Sequence, residues 1–120
     1  MTRITESADC GNSPKNLLMQ TIAIGLETGE ISAALLADDV IWHRASGQVV
    51  KGASAVARTL DQATPPKALV VDHAITHGKV GAASGRCSDA SSGSRGFAHV
   101  ITFTTASAKT IATINSYTAD

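Results

Sequence analysis

The sequence predicts an α+β domain in which helices pack on one face of a curved, mixed or mostly antiparallel sheet, in the order ααββαββββ. Three observations carry this. Ser13-Pro14 opens a helix, a hydroxyl to cap free N–H groups preceding a proline at the first helical position. Next, Ala37-Asp38-Asp39-Val40-Ile41-Trp42-His43-Arg44-Ala45-Ser46-Gly47-Gln48-Val49-Val50-Lys51-Gly52 reads as a helix end, a β-hairpin and a new helix start. Third, Val- and Ile-rich runs broken by short turns follow Pro65-Pro66.

Residues 1–12 are polar and read as a frayed N-terminal arm, leaving 13–120 as one domain. From Pro14 to Glu27, Leu17, Leu18, Ile22, Ile24 and Leu26 spread over one broad helical face, and Gly29 ends the helix. Glu30 to Leu36 reads as a shorter helix with Ile31, Leu35 and Leu36 buried; Asp38-Asp39 marks its exit. Ala53 to Gln62 is the third helix, stopped by Pro65-Pro66. Strands follow over Lys67–His77, Val80–Cys87, Phe97–Thr105 and Lys109–Tyr117, with Ser88–Gly96 read as a mobile polar hairpin end.

Composition narrows the function. Ten basic and ten acidic residues leave no net charge with His neutral, which argues against a nucleic-acid partner. Aromatics are 3% of residues, too few for base stacking. No apolar run reaches the ~20 residues of a membrane helix, and the polar N-terminus has no signal-peptide pattern, so the expected location is cytoplasmic. In that compartment Cys10 and Cys87 are expected to stay reduced. No metal or cofactor is expected: HxH, HExxH, CxxC and phosphate-loop spacings are all missing, as is a GxSxG elbow.

Alternation assigns faces. Phe97, His99, Ile101 and Phe103 share the bulky face that belongs against the helices; Val100, Thr102 and Thr104 share the other. His99 therefore points inward, as a ligand-contacting acid, base or donor, or as a core imidazole satisfied by one partner. Trp42 is an aromatic wall for a ligand, the largest core residue, or both. Arg44 either binds an anionic or carbonyl-bearing ligand at a pocket mouth or pairs with Asp38 or Asp39. Asn115 and Tyr117 share a face with Ile111 and orient a ligand if that face points inward.

The run Ala37-Asp38-Asp39-Val40-Ile41-Trp42, Gly47, the helix opening at Gly52, and the ending Ile111, Ile114, Tyr117 resemble the nuclear transport factor 2-like superfamily, in its SnoaL-like and ketosteroid-isomerase-like branches. The resemblance spans roughly 13–118. It implies a cone: a bent sheet wrapped over three helices, a pocket between them, and homodimerisation through the sheet's outer face. It does not choose a chemistry, because fold does not imply function. Ketosteroid isomerase uses an aspartate base with tyrosine and protonated-aspartate donors. By hand alignment those positions hold Arg44, Gln20 and His99 here. A guanidinium cannot act as the base, so that reaction is not expected.

The resulting expectation is a cytoplasmic homodimer binding a small, mostly apolar molecule among Leu17, Gln20, Trp42, His99, Ile101 and Phe103. Two alternatives stand beside it. One is an isomerase, dehydratase or cyclase with His99 as acid/base and Gln20 or Arg44 polarising a carbonyl. The other is a non-catalytic dimeric module using Val100, Thr102, Thr104, Ala112 and Ile114.

Overall fold

The computed structural model describes residues 1–89 and 93–119. Its elements are β1 (Arg3–Thr5), α1 (Pro14–Thr28), β2 (Leu36–His43), β3 (Val49–Lys51), α2 (Ala53–Asp61), β4 (Ala68–His77), β5 (Val80–Asp89), β6 (Gly93–Phe103) and β7 (Ile111–Ala119). All strands join one mixed sheet in the order β1-β4-β5-β6-β7-β2-β3. The β1–β4 and β2–β7 pairs are parallel and the others antiparallel. Register shifts interrupt the ladders at Leu36/Ile41, Val71/His73 and Thr102/Phe103; such bulges bend a strand and strengthen its twist. No helix among the described residues is long and apolar enough to cross a membrane.

The α+β class and the curved mixed sheet are as expected, while three elements differ. The arm is tied down: β1 pairs with β4 from Arg3 to Thr5, and Cys10 is buried in a 3-10 turn. The second helix is only a 3-10 turn at Ala33–Leu35, and Asp38 and Asp39 lie inside β2, so among the described residues two α-helices stand where three were expected. Gly29 caps α1 at φ +89°, leaving too few residues before β2 to repay helix nucleation. The third difference is that β5 and β6 run on to Asp89 and from Gly93, taking in most of the supposed loop; its tip, 90–92, lies outside the described residues.

Helix α1 forms as read. Ser13 Oγ accepts the Asn16 N–H and Pro14 opens the first turn. Met19, Ile22, Ala23 and Leu26 pack into a core with Leu69, Val71, Phe97 and Ile101; full burial of each large side chain contributes roughly 1.5–3 kcal/mol. The Ser46-Gly47 hairpin and the Gly52 start of α2 also stand as expected, both glycines at positive φ. Cys10 and Cys87 are free thiols.

Candidate functional site

A hollow of about 370 Å³ opens between the C-terminal end of α1, the exit of α2 and strands β2, β6 and β7. Leu26 and Glu27 line it from α1, Trp42 and Arg44 from β2, Arg95 and His99 from β6, and Ser116 to Thr118 from β7. Its size is within the range of small-molecule sites.

A chain of hydrogen bonds forms the polar side of the hollow. The two nitrogens of the His99 ring lie 2.6 Å from Glu27 Oε2 (Nε2) and 2.7 Å from Ser116 Oγ (Nδ1). Trp42 Nε1–H donates to the same Ser116 oxygen at 2.9 Å. Arg95 Nη2 donates to Glu27 Oε1 at 2.7 Å, and the Cys87 thiol reaches that oxygen at 3.4 Å. The side chains of His99 and Glu27 are only 4% and 7% exposed.

The geometry sets the protons. Burial would raise the Glu27 pKa, but hydrogen bonds and charge from His99 and Arg95 outweigh it and hold the carboxyl at about 2. The carboxylate only accepts, so Nε2 carries the hydrogen it shares with Glu27. In the tautomer whose single hydrogen sits on Nε2, Nδ1 is a bare lone pair. Ser116 Oγ accepts the indole N–H, and in that tautomer its own hydrogen points to Nδ1. In that tautomer proton donation runs Trp42 to Ser116 to His99 to Glu27. Glu27 sits in the last turn of α1, at the negative end of the helix dipole, so its charge depends on His99 and Arg95. Burial, then the Glu27 charge, pushes the Cys87 thiol up to about 12, which keeps it protonated and a poor nucleophile.

Of the residues expected to meet here, Trp42, Arg44, His99 and Tyr117 line the hollow. Arg44 lies over the Trp42 ring, 5.1 Å from its centroid, and its Nη1 donates to Gln48 rather than pairing with Asp38 or Asp39. Ile101 and Phe103 face inward as expected but are fully buried in the core and do not line the hollow. Leu17 is 48% exposed and lies outside it. Gln20 is buried elsewhere: its Oε1 accepts the Ser7 N–H, its Nε2 donates to Glu6, and so it fastens the N-terminal arm. The β7 alternation is also corrected. The shift at Thr102/Phe103 makes Ile111, Ile114 and Ser116 the buried set. Asn115 is displaced to a neighbouring groove beside His43, Tyr117 is left at the rim, and Ile114 is removed from the supposed outer dimer face.

Sequence reading missed Glu27, Arg95 and Ser116. Signals existed for two of them. Glu27 lies four residues after Ala23 and seven after Gln20, continuing a buried stripe of α1. Arg95 precedes Phe97 and His99 by even steps, so extending that strand by two residues puts all three on one face.

With this geometry in view, solved structures give a clear match of architecture. An NTF2-like protein of unknown function from Mesorhizobium loti aligns with TM-score 0.71 at 14% identity, over 97% of this chain and 99% of that one. The fold is NTF2-like. Another NTF2-like protein of unknown function, from Cytophaga hutchinsonii ATCC 33406, aligns with TM-score 0.69 at 24% identity, over 87% of this chain and 98% of that one. A putative ketosteroid isomerase from Kribbella flavida DSM 17836 aligns with TM-score 0.56 at 18% identity, over 73% of this chain and 63% of that one. No family model and no curated protein sequence matches the chain. At these identities the likeness carries the NTF2-like fold and no chemistry.

Proposed function

We propose that this NTF2-like domain binds a small molecule whose apolar body lies against Trp42 and whose polar end meets the Ser116–His99–Glu27 chain. One observation carries the reading: a hydrogen-bonded polar chain borders a hollow whose wall is the indole of Trp42. Pockets of this kind combine an apolar wall with a few fixed polar groups. The same observation reshapes the enzymatic alternative. Both ring nitrogens of His99 are engaged, so the imidazole reaches a ligand through the Ser116 hydroxyl rather than directly.

The test uses the lone tryptophan as reporter. Titration with small aromatic ketones, phenols and carboxylates should give a saturable change in Trp42 emission with at least one class, and the same ligand should move the His99 imidazole resonances. Unchanged emission and unchanged His99 resonances across all three classes would overturn the reading.

A further inference from the structure

We propose that Ser116 is a nucleophile, activated by His99 and Glu27, that takes the acyl group of a small ester. The inference rests on the reading of the hollow as a small-molecule site and adds a covalent activity to it. Nucleophilic hydroxyls are recognised by a base within hydrogen-bond reach and a third group orienting that base. Here the hydroxyl-to-base distance is 2.7 Å and the base-to-carboxylate distance is 2.6 Å. Glu27 is ionised and buried, so it fixes the ring and steadies the imidazolium that forms on proton transfer. The two ring nitrogens exchange their usual roles, Nδ1 serving the hydroxyl and Nε2 the carboxylate. Proton transfer requires the tautomer whose Nδ1 lone pair faces the O–H across that 2.7 Å. Such constellations are defined by geometry and role, not by chain order or motif.

Two further features suit the chemistry. The Trp42 N–H aimed at Ser116 Oγ, 2.9 Å away, stabilises negative charge as the hydroxyl loses its proton. The guanidiniums of Arg44 and Arg95 line the same hollow and favour a developing oxyanion and a carboxylate product.

The steps balance without a cofactor. Ser116 Oγ attacks the ester carbonyl carbon while its proton passes to His99 Nδ1. The tetrahedral adduct collapses, the ester C–O bond breaks, and the leaving alkoxide takes the proton from Nδ1 to depart as an alcohol. Water, giving its proton to Nδ1, then attacks the acyl-serine. The carboxylic acid leaves, and the proton returns to Ser116 Oγ.

p-Nitrophenyl acetate tests this with the intact protein. The expected result is a burst of nitrophenol approaching one equivalent, with a single acetyl group mapped by mass spectrometry to the peptide carrying Ser116. S116A should abolish that adduct, and H99Q should slow acylation at least ~100-fold. Because either variant can disturb folding, wild-type protein is also treated with diisopropyl fluorophosphate, where the expected adduct is again on Ser116. Adducts confined to lysines, or none with either reagent, would overturn the proposal. If Trp42 emission still reports saturable binding of a non-reactive ligand such as phenylacetate, the nucleophile fails and the pocket stands. If binding is absent too, both fail.

Discussion

Two carboxylate–histidine pairs in this protein share a chemistry and differ in almost everything else. Glu27 and His99 meet at 2.6 Å with side chains 7% and 4% exposed; Asp9 and His73 meet at 2.9 Å with side chains 32% and 72% exposed. The first pair belongs to a chain running through Ser116 to Trp42 and through Arg95 toward the rim. The second fastens the arm after β1 to β4, with Asp9 Oδ2 also accepting the Ala74 N–H. Nearly equal distances therefore conceal unequal consequences. In water a pair of charges is screened and gains little; out of water, removing one member strands the other.

The sharpest way to break that contrast is Glu27→Ala. It leaves His99, Arg95 and Cys87 facing a carboxylate that is gone, and should cost about 3–5 kcal/mol in urea unfolding. A loss under 1 kcal/mol would place the interior pair in the same class as the surface one. Acid gives the next largest effect. The folded state holds Glu27 at about 2, below the ordinary 4.5, so folding favours the ionised form. Its contribution is complete above pH 4.5 and is lost as pH falls through about 2. That difference is on the order of 3 kcal/mol, and Glu27→Gln should flatten the stability–pH slope across this window.

How much of this was legible follows from where regular periodicity holds. Alternation puts His99 and Trp42 on the buried side because it runs unbroken through Phe97, His99 and Ile101 and through Val40 and Trp42. Alternation does not reach Ser116, because the register shift between β6 and β7 turns the last strand over, and no residue type announces it. Leu17 falls outside the hollow because apolar character alone cannot choose a side of a helix. It lies two residues, about 200° of helical rotation, from the buried Met19. The arm escapes local pattern for another reason: its order comes from Gln20 and from pairing with β4, contacts distant in sequence. The buried charge of Glu27 was hidden by its position at the helix end, where acids commonly face solvent.

A smaller effect sharpens the comparison within the interior chain. Ser116→Ala removes the acceptor of the Trp42 N–H and the partner of His99 Nδ1 while sparing the Glu27–His99 bond. The expected cost is about 1–3 kcal/mol, the range for leaving a buried polar group unsatisfied. Trp42 emission should shift as its N–H loses that partner.

The smallest effect belongs to His73→Ala. Asp9 keeps its bond to the Ala74 N–H and its link to Ser7, so the arm stays fastened after the ring is removed. The Asp9 carboxyl is held below its ordinary range first by the His73 hydrogen bond and then by that backbone bond. Stability from this source is therefore present at neutral pH and lost only in acid, and the variant forfeits only the His73 share. The urea midpoint at pH 7 should match wild type, and any residual difference at low ionic strength should vanish in 1 M salt, where the screening length is ~3 Å. A salt-independent loss comparable to that of Ser116→Ala would mean that the exposed pair carries packing as well as charge. Burial would then no longer account for the difference between the two.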